Sequence, residues 1–228
     1  MSEFTKEQIA KMMDHAVLKP AMTDEDIRKN AKMCVERGVG DLCVRPSDTK
    51  LAAELVKGSG TTVAVVVGFP HGASRPEVKA LEAKLAIEDG ANELDMVMNI
   101  GKFLSGDDAW VVRDIKAVVD VAKPKGIVVK VIQESCLLTL EQVAKACELS
   151  IQAGADFVKT STGFNGDGAT VEQVEVMLKT CKGRAKVKPS GGIRDWERAV
   201  LFATMGVDRL GVGSADKILD GAPAADGY

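Results

Sequence analysis

Two rhythms of apolar residues alternate along the chain. Short runs such as Thr62-Val-Ala-Val-Val-Val67 are almost wholly apolar at consecutive positions, so a strand built from them is buried on both faces. That is the pattern of a parallel sheet covered by helices. Between these runs the apolar residues spread to helical spacing: Val111, Ile115, Val118 and Ala122 share one face, as do Leu140, Val143, Cys147 and Ile151. The alternation predicts strands over 12–18, 41–44, 61–69, 93–99, 126–134, 157–162, 185–190 and 208–213. It predicts helices over 24–37, 48–57, 76–89, 107–122, 140–153, 171–182 and 196–205, with a short one from 215. Thr139-x-x-Gln142 and Thr170-x-x-Gln173 are capping boxes where two of these helices begin. Gly38, Gly90 and Gly154 stand just after helical segments, as C-terminal caps do.

Eight strand–helix units, each long enough for a right-handed crossover, predict a single (β/α)₈ TIM barrel over 1–219. An extra N-terminal helix over 5–12 closes its bottom, and a Gly/Ala/Pro-rich tail over 220–228 is read as flexible. A doubly wound sheet is the alternative, and the absence of G-x-G-x-x-G after the first strand counts against it.

Composition narrows the function classes. A net charge of −3 without a Lys/Arg-rich run argues against nucleic-acid partners. No apolar stretch reaches membrane-spanning length, and the start of the chain lacks the apolar core of a signal peptide. The five cysteines include no C-x-x-C pair, and His15 and His71 form no metal-binding pattern. The reading is therefore a cytoplasmic protein with reduced thiols and no metal site. Neither histidine is given a role beyond the shaping of a loop by His71.

The chemistry is signalled by charges inside apolar strands. Asp95, Lys130, Lys159 and Lys188 lie on four consecutive predicted strands. Burying a charge is costly unless it is paired or functional. One strand lysine is commonly a snorkelling residue, and Asp95 alone could simply pair with Lys130; four such residues together point to a site. Adjacent strands run about 4.8 Å apart, so Lys159 and Lys188 at similar heights would disfavour each other's charge. An uncharged amine is what attack on a carbonyl requires, with Asp95 placed to move protons. This reasoning does not say which lysine is the nucleophile. Glycine-rich segments follow the last three strands: Ser161-Thr-Gly163, Ser190-Gly-Gly-Ile-Arg194 and Leu210-Gly-Val-Gly-Ser214. Barrels often bind phosphate in the loops after strands seven and eight, beside a short helix.

Phe157-Val-Lys-Thr-Ser-Thr-Gly163 and Val187-Lys-Pro-Ser-Gly-Gly-Ile-Arg194 together resemble the deoxyribose-phosphate aldolase family. So do Leu42-Cys-Val-Arg-Pro46, Val67-Gly-Phe-Pro-His-Gly72, Glu93-Leu-Asp-Met-Val-Met-Asn-Ile-Gly101 and Val129-Lys-Val-Ile-Gln-Glu134, in the family's order. The resemblance implies a class I aldolase that splits a deoxyribose phosphate into glyceraldehyde 3-phosphate and acetaldehyde, with no cofactor. It implies Lys159 as the imine-forming lysine, Lys188 as the neighbour that lowers its pKa, and Asp95 as the acid/base partner. Asp14, Lys130, Cys43 and Thr160 fall at the substrate; a buried structural role for Cys43 stays open. Gly163, Gly191, Gly192, Gly211, Gly213 and Ser214 fall at the phosphate. The terminal Tyr228 matches a tail tyrosine that moves a proton at the enamine carbon.

Three positions depart from the family pattern. Ala16 stands where many relatives have threonine, Gly213 where some have serine, and Phe164 where some have lysine. Two further readings remain open: another sugar-phosphate aldolase or transaldolase-like barrel, and a sugar-phosphate-binding barrel without turnover. Assembly as a homodimer or homotetramer is also open.

Overall fold

The computed structural model describes residues 4–221. Eight parallel strands alternate with helices: β1 (Met13–Val17), β2 (Asp41–Val44), β3 (Thr62–Val67), β4 (Glu93–Val97), β5 (Val128–Ile132), β6 (Phe157–Lys159), β7 (Lys186–Lys188) and β8 (Leu210–Val212). Strands β1 to β7 pair in chain order, and β8 pairs with β1. A bridge between Ser190 and Gly211, with Gly211 N–H donating to Pro189 O at 2.9 Å, joins the ends of β7 and β8. The sheet thus wraps round on itself as a (β/α)₈ barrel.

The ring of helices comprises α1 (Lys6–Met12), α2 (Asp24–Arg37), α3 (Thr49–Val56), α4 (Pro76–Glu88), α5 (Ile100–Leu104), α6 (Asp108–Ala122), α7 (Leu140–Gln152), α8 (Val171–Cys181), α9 (Trp196–Thr204) and α10 (Ala215–Asp220). Both expected capping boxes form, at Thr139/Gln142 and Thr170/Gln173, each satisfying two backbone N–H groups at a helix start. The helix α1 lies under the barrel, where Ala10 O accepts the Gly40 N–H at 2.9 Å. A side chain at Gly40 would strike Lys11 O, so only glycine permits that approach. The five-residue α5 was not expected from the sequence. The helix α10 runs to Asp220, which pairs with Arg37 at 2.8 Å, so the sequence-read tail begins within it; residues 222–228 lie outside the described range.

Strand alternation divides the barrel wall into two faces. Val63, Val65 and Val67 of β3, Leu42 and Val44 of β2, and Leu94 and Met96 of β4 are fully buried within the main apolar core that the strands share with the helix ring. Burial of each such side chain contributes about 1.5–3 kcal/mol. Ala16, Leu18, Cys43, Ala64 and Val66 form a second, smaller cluster; Phe69 and Phe164, edge to face with each other, pack against it. One buried ion pair stands apart from both clusters. Lys79 of α4 meets Asp114 of α6 at 2.6 Å and also donates to Val97 O at 2.7 Å, tying two helices to the end of β4. Among the described residues no helix is long and apolar enough to cross a membrane.

Candidate active site

Register brings the four strand charges together. Asp95 lies opposite Lys130 across β4–β5, and Lys159 opposite Lys188 across β6–β7. All three lysines converge on one carboxylate: Lys130 donates to Asp95 Oδ1 at 2.8 Å, while Lys159 and Lys188 donate to Oδ2 at 2.8 and 2.7 Å. Asp14 joins from β1, paired with Lys188 and with Lys130 at 3.3 Å. Sequence reasoning missed a lower layer of this network. Glu93 pairs with Lys130 at 2.5 Å, and Arg209 reaches Glu93 at 2.6 Å and Asp14 at 3.0 Å. Asp41 accepts the Thr62 hydroxyl at 2.7 Å.

The electrostatics separate the lysines. Burial pushes the Lys159 amine below the ordinary lysine range; Asp95 opposes this and the Lys188 charge adds to it. The like-charge effect expected from the sequence is therefore present but second to desolvation. Lys188 is subject to the same burial, yet Asp14 and Asp95 more than offset it and hold its amine above the ordinary range. Lys130 is raised in the same way by Asp95, Asp14 and Glu93. Burial would raise Asp95, but Lys130, Lys159 and Lys188 hold it well below the usual carboxylate range. Burial, then the neighbouring Asp14, pushes Asp41 up to about 8, so it is neutral near pH 7. The carboxylates of Asp14, Glu93 and Asp95 then face the cations of Lys130, Lys188 and Arg209. Lys159 is the one lysine of the cluster left over from that three-to-three pairing, and the one whose amine is lowered.

Two other sequence candidates differ: Cys43 lies close enough to Lys159 and Lys188 to feel their charge, whereas Thr160 turns away. Cys43 is buried in the small apolar cluster beside Ala16 and Phe164, and burial pushes its thiol up to about 12. It stays a neutral thiol there, and Phe164 packs against the same cluster. Thr160 is not brought to the lysines: its hydroxyl donates to Ser190 O at 3.1 Å and accepts the Ser190 N–H at 2.9 Å, locking β6 to β7.

The glycine loops do converge. Gly163, Gly191, Gly192, Gly211, Gly213 and Ser214 line one cleft of about 380 Å³. Its wall also holds Arg194, at the end of the glycine segment after β7, and Gly166, Gly168 and Arg198, which sequence reasoning did not place there. A side chain at Gly168 would lie 2.1 Å from the Gly191 carbonyl carbon, so the loops after β6 and β7 approach this closely only through glycine. Lys159 is not among the lining residues; it stands four positions before Gly163, at the foot of the same loop. That loop is clamped by Glu134, whose buried carboxylate accepts the Thr162 N–H at 3.0 Å, the Thr162 hydroxyl, and Asn165 Nδ2 at 2.9 Å. Glu134 holds φ 53°, a conformation that costs a non-glycine residue about 1–3 kcal/mol and persists only where its surroundings enforce it. Tyr228 lies outside the described residues.

A buried amine pushed below the ordinary lysine range beside buried carboxylates, with a glycine-rich cleft at the far end of the loop that follows it, is an arrangement able to form an imine with a carbonyl compound. Residues 8–215 match the sequence family described as DeoC/LacD family aldolase. The chain belongs to this family. The aldolase is 49% identical over 220 residues to the deoxyribose-phosphate aldolase of Geobacillus sp. (strain WCH70), covering 96% of this chain and 98% of the relative. It is 50% identical to that of Thermococcus gammatolerans, with the same coverage. Among solved structures it is similar to the tetrameric deoxyribose phosphate aldolase from Aeropyrum pernix, with TM-score 0.88 and 35% identity over 95% of this chain and 91% of that one. The aldolase thus shares fold and sequence with these relatives over nearly its whole length.

Proposed function

We propose that this aldolase reversibly cleaves 2-deoxy-D-ribose 5-phosphate to D-glyceraldehyde 3-phosphate and acetaldehyde through an imine on Lys159. The carrying observation is the asymmetry at Asp95. Lys159 and Lys188 both donate to Oδ2, yet only Lys159 is pushed below the ordinary lysine range. The relatives' activity supports the same substrate.

In the cleavage direction the Lys159 amine adds to C1 of the open-chain sugar. The proton released from its nitrogen passes by way of the Asp95 carboxylate to the new alkoxide, and a second proton, taken up from solvent, lets the carbinolamine hydroxyl leave as water. The protonated imine draws in the electron pair of the C2–C3 bond as the C3 hydroxyl gives up its proton to solvent, and glyceraldehyde 3-phosphate departs. The enamine takes a proton at C2, and hydrolysis returns acetaldehyde and the free amine. Lys188 and Lys130 stay charged and hold Asp95 and Asp14 in place. The phosphate rests in the glycine cleft, with Arg194 and Arg198 on its wall, and this fixes C1 over the amine. The reading needs no metal or organic cofactor and places the enzyme in the cytoplasm. The tetrameric relative supports a homo-oligomer.

Borohydride reduction in the presence of acetaldehyde tests the assignment. The reduced adduct should map to the Lys159 peptide and vanish in Lys159→Leu, which keeps a similar apolar volume. An adduct on another lysine with full turnover would overturn it. Turnover of deoxyribose 5-phosphate against ketose phosphates separates this reading from a transaldolase-like one.

A further inference from the structure

Glu134 is unusual in both its backbone and its side chain. It holds φ 53° without being glycine, and it is almost fully buried. Its neighbours explain the backbone. Gln133 N–H donates to Lys159 O at 3.0 Å and Ser135 N–H to Thr160 O at 2.8 Å, so residue 134 is pinned from both sides to the end of β6. Glycine would adopt that conformation freely, so the strain at this position marks the glutamate side chain as the part that matters.

The carboxylate is an acceptor hub for the loop after β6. Oε1 accepts the Thr162 N–H at 3.0 Å, while Oε2 accepts the Thr162 hydroxyl and Asn165 Nδ2 at 2.9 Å. Asn165 Nδ2 also reaches Pro70 O at 3.4 Å, which ties in the loop after β3. Because the Thr162 hydroxyl gives its proton to Glu134, its oxygen is left to accept, and it takes the Phe164 N–H at 3.1 Å. The N–H groups on either side of Gly163 are therefore both occupied, one by Glu134 directly and the other through Thr162. Gly163 N–H makes no hydrogen bond among the described residues. Gly163 itself, at φ 82°, lines the glycine cleft.

We infer that Glu134 is a positioning residue for phosphate binding: by holding Thr162 it fixes the loop after β6 and leaves the Gly163 N–H to the anion. The inference rests on the proposed phosphate cleft, whose wall does not include Glu134. The sign of the effect makes it distinctive. A carboxylate close to an anion site opposes binding through its charge, so its loss by charge alone would tighten phosphate. The positioning role requires the opposite.

Two substitutions and their combination test it, read by competitive inhibition with inorganic phosphate and by kinetics on deoxyribose 5-phosphate and unphosphorylated deoxyribose. Glu134→Gln keeps the shape, but presents an N–H group to Thr162 and Asn165 where both need an acceptor. Inhibition by phosphate should weaken about tenfold, the effect of roughly one lost hydrogen bond, and KM for deoxyribose 5-phosphate should rise by the same factor. Kinetics on deoxyribose should change far less, and borohydride trapping of acetaldehyde on Lys159 should persist. Thr162→Val breaks the same relay from its other end and should give a similar loss. The double variant should be no worse than either single one, since both remove one linkage. If Glu134→Gln does not fold, Thr162→Val carries the test by the same split between the two substrates. Tighter or unchanged phosphate inhibition in Glu134→Gln would overturn the inference, as would equal losses on both substrates or additive losses in the double variant. If phosphate does not compete with substrate in the parent enzyme, the phosphate reading itself fails. If it competes there and the variants leave it untouched, only the inference about Glu134 falls.

Discussion

Replacing Lys188 with methionine removes one charge from the centre of the network while keeping an unbranched apolar chain of similar length. Lys159 and Lys188 lie 2.8 and 2.7 Å from the same Asp95 oxygen. Their nitrogens are therefore roughly 4–5 Å apart, and two unit charges at that distance repel by about 3–4 kcal/mol at an effective dielectric near 20. Loss of that repulsion makes protonation of Lys159 easier on the order of 100-fold or more, since about 1.4 kcal/mol is a factor of ten. Asp14 and Asp95 also lose a counter-ion, which works in the same direction. Lys159 then becomes the cation that balances the set. Near neutral pH the rate of imine trapping by borohydride and acetaldehyde should fall by about two orders of magnitude. It should climb about tenfold per pH unit and recover toward the parental rate in the alkaline range, where a free lysine loses its proton. Removing one partner of a buried pair costs about 3–5 kcal/mol of stability, so the rates belong well below the variant's unfolding temperature. A loss of rate that stays constant with pH up to about 9.5 would refute the argument, because it would show that Lys188 acts by something other than its charge.

Deletion of Tyr228 should slow turnover roughly tenfold or more while leaving the Lys159 adduct intact, and should slow deuterium exchange into the methyl group of acetaldehyde. Full-rate exchange by the shortened enzyme would remove the tail from the mechanism. Lys79→Met leaves Asp114 buried without its cation and should cost about 3–5 kcal/mol in denaturant unfolding. Combined with Asp114→Leu it should cost much less, and additive losses would show that the two side chains are not coupled.

The barrel was legible because its strands are apolar on both faces and its helices carry caps at their starts. The lysines and Asp95 were legible for a related reason: a charge at the middle of an apolar run is anomalous. Asp41, Glu93 and Arg209 belong to the same network but stand at or beside strand starts, where charges are ordinary, and only register reveals that they point inward. Thr160 shows how alternation can overrule a motif. It follows an inward lysine, so its hydroxyl turns to the neighbouring backbone. His15 and Lys79 illustrate the converse, since each sits where sequence suggests filler or solvent and each is buried with satisfied partners. The helix α5 is too short to show a period, and the approach of Gly168 to Gly191 exists only in three dimensions.

The signs of the interior charges follow the order of the chain. Asp14, Asp41, Glu93 and Asp95 come from β1, β2 and β4, while Lys130, Lys159, Lys188 and Arg209 come from β5, β6, β7 and the entry to β8. A cut in the chain between β4 and β5 would yield two fragments, one with an interior lined by acids and one with an interior lined by bases. Neither could bury its own lining, because like charges would face one another without counter-ions. Each would carry the other's complement, so the two should find one another through long-range attraction and fold only as they meet. Salt should slow that meeting, whereas the finished barrel, with the same charges locked out of solvent, should barely respond to it.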